Sequence, residues 1–265
     1  MNGKNYRRKR RLKLSIVIPN LNSGEYLEKC LDSIFSQSYT NFEIILIDGY
    51  SSDDSKKTIK KYSNNKHLTI GYKSPQGQSD AINTGMSIAT GDIVTYICAD
   101  DTYEPNCFKR VAKAFTKPSV MWIYGKGNII DDRDKEIRGF ITNSKRLLQP
   151  RYSYHTLQCV DYIVQPTVFI RKEFFKQIGE FNTTLKYVMD YEYWLRAGQV
   201  SSPKFINKHL ANWRAHSGSL TEREHKAEAK QAMLVQSWYS PWYYRPIQWL
   251  VYIVTVTLYG SWMRK

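Results

Sequence analysis

The sequence predicts an α/β fold with a mixed central sheet covered by helices on both faces. In its first third, short β-branched apolar stretches alternate with segments whose apolar residues recur at helical spacing. These stretches are apolar almost throughout, which is typical of parallel strands covered on both sides. The predicted strands are 14–18, 42–47, 68–72 and 93–97. The predicted helices are 24–36, 53–62 including its cap, and 79–89.

The alternation weakens beyond Pro118, where the pattern indicates a mixed or antiparallel part of the sheet. The predicted strands there are 120–124, 128–131, 164–170 and 210–214, and the predicted helices end near 179, begin near 189 and cover 221–238. No repeat or low-complexity linker separates these elements. We therefore expect one domain over residues 14–220, preceded by a basic arm (1–13) and followed by a helical, aromatic-rich tail (221–265).

Composition narrows the class of protein. With 42% hydrophobic and 24% charged residues over 265 positions, the chain is expected to fold rather than remain disordered. A net charge of +15 favours partners that carry phosphate: nucleic acid, an anionic lipid surface or a phosphorylated substrate. The four cysteines lack metal-site spacing and are expected to be reduced, and the apolar run 14–18 is too short for a secretion signal.

Polar side chains follow three of the predicted strands. Asn20, Asp48 and the pair Asp100–Asp101 all stand at carboxyl ends, the edge at which open α/β sheets bind their ligands. Each residue alone is equally consistent with a turn or a helix cap. Together with the later Asp190, they match what sugar transfer from a nucleotide diphosphate requires: a contact to the base, a metal site for the leaving group and a proton acceptor.

The order of several short motifs adds a family resemblance. The segments are 15–22, 47–53, 80–85, 89–93 and 99–101, continued by 165–169, 179–182, 190–196 and 214–219. In this order the chain resembles the family 2 inverting glycosyltransferases from about residue 14 to residue 221. The resemblance is greatest to the branch that builds bacterial O-antigens and other surface polysaccharides. It implies the GT-A fold, a Rossmann-like fold for nucleotide-diphospho-sugar transferases.

The resemblance also implies roles for individual residues. The nucleotide-sugar donor would be bound by Pro19, Asn20, Asp48, Asp80, Asn83 and Asp100. A Mg²⁺ or Mn²⁺ ion would be held by Asp100, Asp101 and His216, and Asp190 would be the catalytic base. For Asp190 and His216 the residue types alone are equally consistent with a helix N-cap and a surface histidine, respectively.

Three departures from the family pattern bear on activity. Cys98 replaces the first acid of the metal motif, and a thiol is a poor ligand for Mg²⁺. Tyr50 replaces a small residue, and Met189 stands where glutamate commonly precedes the base. An inactive nucleotide-sugar-binding protein therefore remains an alternative, as does a nucleic-acid-binding protein. A dinucleotide-dependent dehydrogenase is excluded because residues 19–24 lack the G-x-G-x-x-G turn.

The expected reaction is transfer from a UDP-linked sugar to a hydroxyl of a growing, lipid-linked bacterial surface glycan, without a nucleic-acid partner. We expect a peripheral enzyme on the cytoplasmic face of the bacterial inner membrane, held there by two features. Lys and Arg residues are concentrated in 7–13, and four of the seven tryptophans lie in the final 28 residues. The apolar stretch 247–263 also allows a membrane span, packing against the domain or a subunit interface. The β-branched residues within 251–257 also allow an edge strand.

Overall fold

The computed structural model describes residues 11–262, except for the side chains of 140, 141, 220–222 and 258–262. Over this range the chain has eight strands and ten α-helices. The strands are β1 Leu14–Asn20, β2 Phe42–Asp48, β3 Leu68–Tyr72, β4 Ile93–Tyr96, β5 Thr102–Tyr103, β6 Trp122–Ile130, β7 Phe169–Arg171 and β8 Lys204–Arg214. The helices are α1 Gly24–Phe35, α2 Ser55–Tyr62, α3 Gln78–Ile88, α4 Cys107–Ala114, α5 Gly139–Leu148, α6 Tyr154–Leu157, α7 Lys172–Ile178, α8 Met189–Val200, α9 Leu220–Tyr239 and α10 Arg245–Trp262.

The described strands form a single mixed sheet in the order β3-β2-β1-β4-β7-β6-β8-β5. The first four strands of this order pair in parallel. Along the chain a helix connects β1 to β2, β2 to β3 and β3 to β4, and these connections allow parallel pairing. β7 runs antiparallel to β4 and β6, whereas β6 and β8 are parallel. The predicted mixed sheet is therefore confirmed, and its parallel part places the ends of β1, β2 and β4 at one edge.

Two apolar cores cover the two faces of the sheet. Successive side chains of a strand point to opposite faces, so Val17 contributes to one core and Ile16 and Ile18 to the other. The first core also receives Met86 of α3 and Trp194 of α8, and α1, α2 and α4 pack into the second. Helices on both faces are thus confirmed, which explains why the parallel strands are apolar throughout.

Two strand predictions in the second half differ from the structure. The separate strands predicted at 120–124 and 128–131 are one strand, β6, whose pairing with β8 shifts register around residues 125–127. The strand predicted at 164–170 begins instead as a 3-10 turn, Gln165–Thr167, and only Phe169–Arg171 enters the sheet. Pro166 accounts for the turn, because proline has no N–H to donate to a neighbouring strand.

The tail is helical and contacts the rest of the protein. Val235 of α9 is fully buried, and the side-chain amide of Gln236 donates to the Cys159 carbonyl at 3.0 Å. From α10, Gln248 donates to the Gln158 carbonyl, also at 3.0 Å. The edge strand considered for residues 251–257 does not form, and among the described residues no helix is long and apolar enough to cross a bilayer. Most of the basic arm lies outside the described residues, and the division into arm, domain and tail stays a prediction.

Candidate functional site

A cavity of about 900 Å³ opens at the carboxyl ends of the parallel strands. The loop after β3, the start of α8 and the segment after β8 complete its walls. Six predicted site residues line it: Pro19, Asn20, Asp80, Asp100, Asp190 and His216. The other three, Asp48, Asn83 and Asp101, are almost fully buried and lie behind the lining. The structure therefore brings together residues that are distant in the sequence, but it divides them into cavity-facing and supporting groups.

Asp48 lies behind the lining of the cavity, next to Asn20. One of its oxygens accepts from the Asn20 amide at 2.6 Å and from the Ser51 hydroxyl at 2.7 Å. The other accepts from the Ser51 backbone N–H at 2.9 Å. The two Ser51 donors orient the Asp48 carboxylate, which in turn holds the Asn20 amide at the end of β1, where Asn20 lines the cavity. The predicted hydrogen bond from Asp48 to a pyrimidine ring stays a prediction, because the carboxylate is directed to protein donors here.

The start of α3 contributes an ion pair to the same region. Lys73, just after β3, places its ammonium 2.8 Å from Asp80 and 2.8 Å from the Thr84 hydroxyl. Lys73 and Asp80 both line the cavity. They offer a cation and an acceptor side by side, a combination that suits the hydroxyl and phosphate groups of a nucleotide sugar.

Asn83, one turn further along α3, does not face the cavity. Its side-chain amide donates to the carbonyl of Phe181 and accepts from the N–H of the same residue, each at 2.9 Å. This pair of bonds joins α3 to the loop that leads into α8. The donor-binding role of Asn83 stays a prediction, whereas the contacts indicate a positioning role.

Three side chains that can ligate metals converge after β4. Ligand atoms of Cys98, Asp100 and Asp101 all lie within 4.8 Å of one another. One oxygen of buried Asp101 has no hydrogen-bond partner among the described residues, which leaves it available to a cation. Burial raises the pKa of the Cys98 thiol well above its usual range, with Asp101 adding to the effect. The two carboxylates therefore fit Mg²⁺ or Mn²⁺, and Cys98 contributes a neutral thiol.

His216 adjoins this cluster from the segment after β8. Its Nε2 lies 3.0 Å from a carboxylate oxygen of Asp100, and this hydrogen bond raises the pKa of His216. The imidazole ring contacts the Tyr26 ring of α1 at 4.7 Å between centroids. His216 thus lies where a metal or diphosphate would bind, next to the most accessible carboxylate of the cluster.

Asp190 occupies the second position of α8 and faces the cavity. The residue that caps this helix is Val188, so Asp190 is not the N-cap. Burial raises the pKa of Asp190 to about 7, and the negative charge of Asp161 adds to the effect. A carboxylate with such a pKa can accept a proton near neutral pH, as a general base must.

Helix α9 holds the start of α8 in place. The side-chain oxygen of Gln231 accepts from the N–H groups of Tyr187 and Val188, at 2.8 and 3.3 Å. Val188 is the N-cap residue of α8 and Tyr187 directly precedes it, so Gln231 binds the backbone immediately before the helix. The charge of Glu228, also on α9, contributes to the raised pKa of Asp190. Nothing in the sequence pattern had assigned these α9 residues to the site.

Comparison with known proteins identifies the family. Residues 15–179 match the description "Glycosyl transferase family 2", and they make up more than half of the chain. The chain belongs to glycosyl transferase family 2. The resemblance on which the site residues were predicted is therefore confirmed, although its O-antigen branch is not.

Family 2 relatives occur in several bacteria. A "PGL/p-HBAD biosynthesis glycosyltransferase" of Mycobacterium tuberculosis is 32% identical over 203 residues, 74% of this chain and 73% of the relative. An uncharacterised glycosyltransferase of Nostoc is 30% identical over 138 residues, and one of Rickettsia typhi is 26% identical over 211. Those alignments cover 51% and 78% of this chain but only 43% and 65% of the two relatives.

Solved glycosyltransferase structures confirm the GT-A fold. S. aureus TarS residues 1–349, in complex with UDP, superposes with a TM-score of 0.65 at 18% identity, covering 84% of this chain and 65% of that TarS fragment. The mannosyltransferase PcManGT from Pyrobaculum calidifontis, in complex with GDP-Man and Mn²⁺, gives 0.63 at 16% identity, covering 96% and 74%. At these identities the likeness concerns the fold.

Proposed function

We propose that this family 2 glycosyltransferase is a metal-dependent, inverting enzyme that uses a UDP-linked sugar. The acceptor is a hydroxyl of a growing, lipid-linked bacterial surface glycan. The observation that carries the proposal is Asp190: a carboxylate with a pKa of about 7, facing the cavity that also contains the acidic cluster. A proton acceptor and a leaving-group site in one cavity are what direct displacement at an anomeric carbon requires.

In the proposed reaction the ionised carboxylate of Asp190 removes the proton of the acceptor hydroxyl. The acceptor oxygen forms a bond to the anomeric carbon on the face opposite the diphosphate. The bond from that carbon to the diphosphate oxygen breaks, and its electron pair leaves with the diphosphate. The configuration at carbon inverts, and Asp190 ends the step protonated.

Asp100 and Asp101 would hold the divalent ion, with His216 beside them. When bound, Mg²⁺ or Mn²⁺ supplies positive charge to the leaving diphosphate. Asn20 and the Lys73–Asp80 pair would bind the nucleotide-sugar at the other end of the cavity, with Asp48 supporting Asn20. The PcManGT complex contains GDP-Man and Mn²⁺, and the TarS complex contains UDP. Both support this assignment by analogy of fold.

A thermal-shift screen tests the donor and the metal together. UDP with Mn²⁺ should raise the melting temperature more than GDP or ADP with Mn²⁺, because a ligand that binds only the folded state stabilises it. Addition of excess EDTA should remove both this shift and sugar transfer. Full transfer activity in EDTA would contradict the metal-dependent mechanism.

We further propose peripheral attachment to an anionic membrane on the cytoplasmic side. The supporting observation is an exposed aromatic and aliphatic surface on the turn before α10 and on α10 itself. The tail surface consists of Trp242, Tyr243, Ile247, Trp249, Leu250 and Val254, all at least 45% exposed. The positive net charge of the chain favours an anionic membrane, and aromatic side chains favour the interface between lipid and water.

Liposome sedimentation tests this attachment. The full chain should sediment with anionic vesicles at low salt, and Trp242→Ser combined with Trp249→Ser should shift it to the supernatant. Leu147→Ser provides the control, since Leu147 is 83% exposed on α5, outside the tail surface. A wild-type chain that stays in the supernatant with anionic vesicles would contradict the proposal.

A further inference from the structure

Arg214, the last residue of β8, is a fully buried cation. It is among the largest side chains in the described structure with no exposed surface. Burying a guanidinium costs several kcal/mol unless its donors are all satisfied in good geometry. Because Arg214 lies beside the candidate metal cluster, its contacts determine which segments of the chain are held near that cluster.

The contacts of Arg214 join two turns that are far apart in the sequence. Its backbone N–H donates to an Asp101 oxygen at 2.9 Å, and its Nε donates to the Asp100 carbonyl at 2.8 Å. Its two terminal nitrogens reach the turn after β6, at the Asp131 carbonyl and at an Asp134 oxygen, both at 2.5 Å. The planar, forked guanidinium thus spans both turns at once, which a single ammonium group cannot do.

Helix α1 supports the same arrangement from the other side. The guanidinium of Arg214 lies 5.1 Å from the centroid of the Tyr26 ring, and this ring also contacts His216. The Tyr26 hydroxyl donates to Asp132 at 2.9 Å, and Lys29 pairs with the second oxygen of Asp134 at 2.8 Å. The turn after β6 is therefore fixed to α1 as well as to Arg214.

We propose that Arg214 is a positioning residue of the metal site. Its guanidinium ties the Asp100 carbonyl to the turn after β6, while its backbone N–H binds the Asp101 carboxylate. Together these contacts set the two carboxylates at the separation and direction in which they hold a divalent ion, and Arg214→Lys removes the guanidinium part alone. This inference rests on the proposed function insofar as Asp100 and Asp101 are the metal ligands. Arg214 itself does not line the cavity and would act through the two aspartates.

The charge-conserving variant Arg214→Lys tests the forked geometry apart from the charge. Mn²⁺ affinity is measured by electron paramagnetic resonance of the free ion, with Mn²⁺ alone and with Mn²⁺ plus UDP. Loss of a residue that orients metal ligands typically weakens binding about 10- to 100-fold, and we expect a shift in this range. The control is Arg196→Lys: Arg196 is another largely buried arginine, which bonds Glu192 and the carbonyls of Ile178 and Glu180.

The two variants separate positioning from general stabilisation. Arg196→Lys should lower the melting temperature but leave Mn²⁺ affinity within about twofold. Unchanged Mn²⁺ affinity in folded Arg214→Lys, or equal weakening in both variants, would overturn the proposal. If Arg214→Lys does not fold, Asp134→Asn takes its place: it removes one partly exposed partner and should weaken Mn²⁺ binding about threefold. Unchanged affinity there would equally overturn the proposal.

Failure of the positioning role of Arg214 can be distinguished from failure of the proposed function. If the wild type transfers no sugar but Arg214→Lys still loses Mn²⁺, the function is wrong and the role of Arg214 stands. If the wild type transfers sugar and Arg214→Lys binds Mn²⁺ normally, the function stands and this inference is wrong. A wild type that binds no Mn²⁺, with or without UDP, overturns the metal role and this inference together.

Discussion

The donor-side half of the molecule, residues 14–101, and the catalytic half, residues 120–262, build their parts of the site differently. In the first half, functional side chains follow directly from the ends of adjacent parallel strands, as with Asn20 and Asp48. In the second half, they are placed by long-range contacts: His216 contacts Asp100 across 116 positions, and Gln231 binds the backbone just before α8 across 44. In the proposed function, nucleotide binding would therefore follow from the sheet, whereas catalysis would depend on how α8, α9 and β8 pack.

The largest expected effect comes from the catalytic half. Asp190→Asn removes the proton acceptor and should lower turnover by about 10²-fold or more. Affinity for UDP should change little, because Asp190 is not among the residues proposed to bind the donor. Steady-state transfer kinetics and calorimetric titration with UDP measure the two quantities.

The matched variant on the donor-side half is Asp80→Asn. It should weaken donor binding by about tenfold, the scale of one charge-assisted hydrogen bond, with a smaller effect on turnover. The comparison between the halves fails if Asp80→Asn lowers turnover as much as Asp190→Asn does.

A gain of metal affinity should follow from restoring the acid at position 98. Cys98→Asp replaces a neutral thiol by a carboxylate next to Asp100 and Asp101, and should tighten Mn²⁺ binding about tenfold, or about 1.4 kcal/mol. Cys98→Ser is the control, since it changes sulfur to oxygen without adding charge. Equal Mn²⁺ affinity in both variants would show that position 98 does not contribute a ligand.

Asn83 provides a direct connection between the two halves. Asn83→Ala leaves the buried N–H and C=O of Phe181 without their partners and should lower the free energy of unfolding by about 1–3 kcal/mol. Chemical denaturation measures this loss against Asn64→Ala, an exposed control. A loss as small as that of the control would mean that the two bonds do not hold the halves together.

The same comparison explains how much the sequence could predict. Strands β1 to β4 and the residues at their ends were found from apolar runs and turn residues, since parallel strands are specified locally. No structural role was predicted for Arg214, Gln231 or Tyr26. Their roles depend on contacts between distant segments, and such contacts leave no local sequence pattern. The strand predicted at 164–170 was wrong over its first part because its apolar residues suit a strand and a buried turn equally well.

A pH-dependent effect on stability follows from the raised pKa of Asp190. Because its pKa is higher in the folded state than in the unfolded chain, ionisation destabilises the fold as pH rises from about 4 to about 7. Asp190→Asn removes this cost, so its melting temperature should exceed that of the wild type by an amount that grows over this range and then levels off. Each unit of pKa shift corresponds to about 1.4 kcal/mol. A constant difference between pH 5 and pH 8 would argue against the raised pKa.

The pH dependence of sugar transfer tests the central claim most directly: that packing of the catalytic half makes Asp190 a base suited to neutral pH. Single-turnover rates with saturating donor and Mn²⁺ are measured from pH 5.5 to pH 9 for the wild type and Asp190→Asn. The wild-type rate should rise about tenfold per unit below pH 7 and level off above it, following ionisation of a group with a pKa of about 7. The variant should be slow throughout, without this rise. A wild-type rate that is flat across pH 7, or a variant that keeps the same rise, would contradict the assignment of Asp190 as the base.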